Sequence, residues 1–191
     1  MKTIGYCLTG SFCTFSKSIP QVKKLVEAGY NVIPIMSYNA ESIDTRFGEA
    51  KDFISELEII TGNTVLKTIK EVEPIGPKKL LDLLIISPCS GNTLGKLASG
   101  IYDTPVTLSA KSHLRNQRPI LIGVSTNDAL SGSAKNIGTL LNFKHYYFIP
   151  MSQDDFIKKP FSIVAHFDDT LEAVRLALEE KQMQPIIKSK G

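Results

Sequence analysis

Apolar positions along the chain fall into two kinds of segment that alternate. Short apolar runs at Thr3–Leu8, Asn31–Met36, Leu80–Ile86, Ile120–Val124 and His145–Ile149 predict buried strands. Between them, apolar residues recur every three or four positions, as they do on one face of a helix. Ile19, Val22, Leu25 and Val26 make the first such set, and Phe47–Ile60 the second. Leu94, Leu97, Ala98 and Ile101 make a third, and Val106, Leu108, Ala110 and Leu114 a fourth. Ser133–Leu141 and Asp168–Glu180 complete the series. Strand alternating with helix predicts an α/β chain: a three-layer, doubly wound parallel sheet. Residues 1–191 read as a single domain, with 182–191 as a tail.

Breakers set the boundaries. Gly29 and Gly62 stop the first two helices, and Thr104-Pro105 starts the fourth. Ser18 ahead of Pro20 has the look of a cap with Pro in the first turn, which delays the first helix. Pro34 inside the second strand points to an edge or a bulge. Pro74, Gly76 and Pro77 make 63–79 an irregular connection, and Met151–Pro160 reads as a polar loop.

The chain is organised around Leu80–Thr93, where an apolar run stops at Pro88 and Gly91 and a helix pattern follows. Four strand ends carry small polar residues: Thr9-Gly10-Ser11, Ser37-Tyr38-Asn39, Ser87–Thr93 and Ser125–Asp128. Ligands of an open α/β sheet bind beyond the carboxyl ends of its strands. Hydroxyls and helix-start amides suit a phosphate monoester. Neither G-x-x-x-x-G-K-[ST] nor G-x-G-x-x-G is present, and a single Gly10 between two hydroxyl residues suits one terminal phosphate better than a pyrophosphate. A mononucleotide such as flavin mononucleotide (FMN) fits these turns; ordinary capped βα turns fit them too.

Composition narrows the picture by exclusion. With 191 residues, 42% hydrophobic and 21% charged, the chain is globular rather than disordered. A net charge of +3 without a Lys/Arg block argues against nucleic acid and suits a small acidic substrate. No apolar run is long enough to span a membrane. Three cysteines without metal spacing fit free thiols in a reducing cytoplasm, and three scattered histidines suggest no zinc site.

The turns T-G-S at Thr9–Ser11, Ser37, and P-x-S-x-N-T at Pro88–Thr93 together resemble the homo-oligomeric flavin-containing Cys decarboxylase superfamily. Thr45–Ala50, Ile85–Lys111, Arg118–Leu130 and Phe148–Pro160 are more closely similar to the family of dipicolinate synthase B subunits. The resemblance implies a flavodoxin-like (Rossmann-like) fold and assembly into trimers or dodecamers. It implies a part in oxidising a dihydrodipicolinate to dipicolinate in the mother cell of a sporulating bacterium. The partner is a separate A subunit that brings the nicotinamide (NADP) site. Carried over by position, Gly10 and Ser11 match the phosphate turn, with Thr9 before them. Ser37, with Asn39, matches a second phosphate or ribityl contact, and Ser90, Asn92 and Thr93 match the flavin-contacting turn. Ser125, Thr126 and Asn127 stand where the superfamily has its P-A-M-N substrate clamp, and only Asn127 matches. The decarboxylases carry a catalytic His between the second strand and the P-x-S-x-N-T turn. This chain has no His between Asn39 and Pro88, which argues against peptidyl-cysteine decarboxylation.

Some side chains carry two readings. Cys89 is either activated by a helix start or a buried space-filler. Lys158 and Lys159 clamp a dicarboxylate or belong to a solvated loop, and Arg46 and Arg115 are further carboxylate partners or surface ion pairs. Asp128 takes a proton during aromatisation or caps the next helix. His113 and His145 read as structural.

Overall fold

The first apolar run forms the strand at which the sheet reverses direction. In the computed structural model, which describes residues 1–189, β1 (Thr3–Leu8) lies between β2 (Asn31–Met36) and β3 (Leu83–Cys89). Next to β3 come β4 (Ile120–Thr126) and then β5 (Tyr146–Phe148), all parallel. A hairpin of β6 (Met151–Gln153) and β7 (Ile163–Ala165) pairs antiparallel with the end of β4. The sheet is therefore seven-stranded and mixed: the parallel winding predicted from sequence, plus a hairpin where the sequence suggested a loop. Strands of three residues are too short to leave an alternating signature.

Side-chain alternation along the strands splits the core into two layers. Ile4, Tyr6 and Leu8 of β1, with Leu83 and Ile85 of β3, pack under α1 (Phe15–Glu27), α3 (Ala50–Thr61) and α8 (Thr170–Leu178). Cys7, Leu84 and Ile86 face the other layer, under α5 (Gly91–Ala98), α6 (Pro105–Leu114) and α7 (Ala134–Asn142). Two short helices, α2 (Tyr38–Ser42) and α4 (Ile69–Val72), lie in the connections; α4 and a following 3-10 turn order a stretch expected to be irregular.

Several boundaries differ from the sequence expectation for identifiable reasons. The central strand starts at Leu83, three residues later than the apolar run, because Asp82 is used at its edge: the Thr3 amide donates to its carboxylate at 2.8 Å. Pro88 does not end that strand; a register shift between Ile86 and Cys89 absorbs it. Pro34 lies in an edge strand, as expected. Pro20 is in the second turn of α1 rather than its first, and Ser18 is no cap. The Ser18 hydroxyl is buried and donates to the Ser87 carbonyl at 2.7 Å. The expected tail is tied down as far as Lys188. Gln182 bonds both backbone groups of Phe148, and Lys188 reaches Asp169 at 2.6 Å. The last two residues of that segment lie outside the described residues.

His113 on α6 is structural, as expected. It is 1% exposed and its Nε2 donates to the Pro119 carbonyl at 3.0 Å. Burial pushes its pKa down to about 4. The unfolded chain binds a proton there near its ordinary value of about 6.5, so stability falls as the pH drops between those two values. Urea unfolding between about pH 7 and pH 4 is expected to show wild type losing roughly 3 kcal/mol more than His113→Gln.

Candidate functional site

The reversal of strand order between β1 and β3 opens a crevice at their carboxyl ends, and Thr9 closes its floor. Thr9 is 1% exposed. Its hydroxyl donates to the Pro88 carbonyl at 2.7 Å and accepts from the Ser90 amide at 2.9 Å. The side chain is thus spent on splicing the two strands, so Thr9 positions the crevice rather than lining it. Ser90 then caps α5, accepting from the Thr93 amide at 3.4 Å, and its hydroxyl lies 3.2 Å from that of Thr93. The first amides of α5 have no partner within the helix, and Asn92 and Thr93 of that turn border the crevice. Ser37 caps α2 in the same way, accepting from Ala40.

A third turn joins from β4. Ser11 donates to the Ser125 carbonyl at 2.6 Å, and the Ser125 and Thr14 hydroxyls lie 3.2 Å apart. These bonds hold the first turn against the β4 end. Asp128 organises its own loop: its carboxylate accepts from Thr126 at 2.6 Å and from Ser133 at 2.9 Å. Gly91 packs on this loop so closely that a Cβ would lie 2.7 Å from the carboxylate.

Two connected spaces result. A cleft of about 640 Å³ is lined by Ser11, Ser125, Thr126, Asn127 and the side chains described below. A branch of about 300 Å³ is lined by Ser37, Asn39, Asn92 and Thr93, and Gly10 and Ser90 border both. Ten of the eleven candidate cofactor residues therefore line one composite site, the exception being Thr9. Asp128 is not among the residues lining the cleft, because its carboxylate is turned into the loop.

The four candidate cations separate. Arg46 and Lys159 line the cleft. The Arg46 guanidinium lies 4.9 Å from the Phe47 ring centroid. Lys159 bonds Asp154 at 3.1 Å, and that bond raises its pKa. Lys158 does not line the cleft; its amide donates to Asp155 within the hairpin loop. Arg115 lies at the opposite edge of the sheet, against Gly76. Helix α6 runs back antiparallel to the strands, so Arg115, just past its end, cannot reach their carboxyl ends. Cys89 is buried and its thiol pKa is pushed up by desolvation, so it fills space.

A family model described as Flavoprotein matches residues 1–169. The chain belongs to the flavoprotein family. It is 42% identical to the B subunit of dipicolinate synthase from Bacillus subtilis over 186 residues, covering 97% of this chain and 93% of that protein. The crystal structure of the dipicolinate synthase B subunit from Bacillus halodurans superposes with a TM-score of 0.91 at 39% identity, covering 100% and 97% of the two chains. Burkholderia xenovorans DmrB in complex with FMN, described as a cubic protein cage for redox transfer, shares the fold. Its TM-score is 0.69 at 18% identity, with 94% and 96% coverage.

Within this flavoprotein, several cleft residues carried no signal in the sequence. Lys17 and the exposed thiol of Cys13 line the cleft from α1 and the turn before it. Phe12 and Phe47 supply aromatic walls. Phe12 packs tilted against Phe15 at 5.4 Å, and Phe15 meets Phe53 edge-on at 5.0 Å. A lone Lys on a helix or a Phe beside a turn reads as surface or core until the fold turns it toward a shared space. None of the three histidines lines the cleft.

Proposed function

We propose that the chain is the B subunit of a dipicolinate synthase, an FMN-binding subunit that helps oxidise dihydrodipicolinate to dipicolinate during sporulation. The observation that carries this reading is the composite site itself: a cradle of hydroxyls and helix-start amides opens into a cleft whose walls are aromatic and cationic. The donor set fits a flavin mononucleotide. Gly10, Ser11, Ser37 and Ser90 would hold its phosphate and ribityl chain, with Asn39, Asn92 and Thr93 beside them. Bound flavin supplies a two-electron acceptor.

The chain's own residues have the simpler task. Loss of a hydride and a proton makes the substrate ring aromatic, so the forward step is downhill and orientation matters most. Arg46 binds a carboxylate, Lys159 stands beside it already paired with Asp154, Phe12 and Phe47 shield the ring from water, and Asn127 fixes its register. An A subunit with bound NADP is the partner and the route by which electrons leave. The working assembly is a homo-oligomer in the mother-cell cytoplasm.

A second reading has its own support. No histidine lines the cleft, Asp128 is engaged elsewhere, and the lining carboxylate of Asp154 is paired with Lys159, so the cleft has no free histidine or carboxylate base among the described residues. A non-catalytic subunit that completes the A subunit's site needs none. The same feature disfavours decarboxylation of a Cys peptide. An absorbance spectrum before and after FMN addition and dialysis tests the proposal. Retained bands near about 370 and 450 nm, bleached by dihydrodipicolinate, are expected for the oxidising subunit. Retained bands that dihydrodipicolinate leaves unchanged favour the non-catalytic reading, and a colourless protein that cannot keep FMN overturns the flavin reading.

A further inference from the structure

The cleft's charges are not balanced. Among the described residues that line it, Lys17, Arg46 and Lys159 stand with one carboxylate, Asp154: three cations and one anion. Lys159 is the cation that Asp154 binds. Lysines nearby are also paired: Lys96 of the branch with Asp103 at 2.7 Å, and Lys24 of an adjoining cavity with Asp168 at 2.8 Å. Among the described residues, neither Lys17 nor Arg46 has a carboxylate within ion-pair distance.

These two cations are also placed apart in the fold. Lys17 projects from the first turn of α1, while Arg46 comes from the connection between α2 and α3. Lys17 further lines an adjoining cavity of about 480 Å³, so it stands where the two spaces meet. Neither cation lines the 300 Å³ branch, where the hydroxyl and amide cradle suits a phosphate. Uncompensated cations in a concave, partly enclosed site concentrate anions there. Two such cations on separate elements offer two anchor points, which a ligand with two anionic groups can engage together.

We propose that Lys17 is a substrate-positioning residue which, together with Arg46, makes the cleft select a small dianion over a monoanion. This rests on the oxidative reading above for the identity of the substrate. Calorimetry on the full chain, with saturating FMN, tests it by comparing pyridine-2,6-dicarboxylate with pyridine-2-carboxylate. Wild type is expected to prefer the dicarboxylate by about ten-fold or more, the scale of one charge-assisted hydrogen bond. Lys17→Met and Arg46→Met each lose most of that preference, the dicarboxylate losing about ten-fold in affinity and the monocarboxylate less, with FMN retention within about two-fold of wild type. Lys78→Met, which removes an exposed charge elsewhere, keeps the preference and shows that net charge alone does not set it. Equal binding of both ligands by wild type, or an unchanged preference in Lys17→Met, overturns the proposal. FMN retention is read separately in the same samples. Its failure removes the flavin reading, and the ligand comparison without flavin still decides the role of Lys17.

Discussion

Thr9→Val is expected to lower the unfolding free energy by about 2–4 kcal/mol, whereas Thr9→Ser stays within about 1 kcal/mol of wild type. Valine keeps the shape of threonine and removes its hydroxyl. That hydroxyl serves both the Pro88 carbonyl and the Ser90 amide, and Thr9 is buried, so water cannot replace it. Each buried polar group left without a partner costs roughly 1–3 kcal/mol. Serine retains both bonds and loses only a methyl group. Denaturant unfolding followed by circular dichroism gives the energies. A midpoint for Thr9→Val equal to that of wild type sinks this account of the splice. Because the Ser90 amide also sets where α5 begins, FMN affinity is expected to fall with stability in Thr9→Val and to survive in Thr9→Ser.

Gly91→Ala has the next largest expected effect, and its sign is decided by contact rather than by propensity. In an open helical position, Gly to Ala stabilises by up to about 1 kcal/mol. At Gly91 the new Cβ would sit 2.7 Å from the Asp128 carboxylate and 2.8 Å from both the Ser133 and Thr126 hydroxyls. Both hydroxyls donate to that carboxylate, so the three groups cannot move independently. Overpacking of this kind costs about 1–3 kcal/mol, and relief requires the start of α5 to move off the β4 turn. Since that start lines the composite site, the variant is expected to bind FMN at least about ten-fold more weakly, a loss near 1.4 kcal/mol. Gly138→Ala on α7 is the matched comparison: nothing lies within 4 Å of its Cβ, so it gains stability and leaves FMN binding alone. If Gly91→Ala behaves like Gly138→Ala, the close packing of α5 on the Asp128 loop is not a constraint.

Much of this site is legible in the chain because its residues are local. The turns after β1, β2, β3 and β4 each join an apolar run to a helix start, and a parallel sheet brings all such turns to one edge. Ser37 and Ser90 act as caps within three residues of their own position, so their role needs no distant partner. The apolar runs set the strands and their helix-period neighbours set the layers, which was enough for the fold class and for the edge that carries the composite site.

Distant neighbours decided the rest. Thr9 resembles any hydroxyl in a phosphate turn, and only the approach of Pro88 and Ser90 from β3 turns it inward as a splice. Arg115 looked equivalent to Arg46 in sequence, yet the reversed run of α6 carries it to the opposite edge. Lys17 had no pattern at all, and it became a cleft residue when the β6–β7 hairpin closed the far wall with Asp154 and Val164. Periodicity and turn chemistry reside in a few consecutive residues and can be read there. Which charge remains unpaired, and which hydroxyl is already spent, depends on atoms about a hundred residues away, and only the packed chain brings those together.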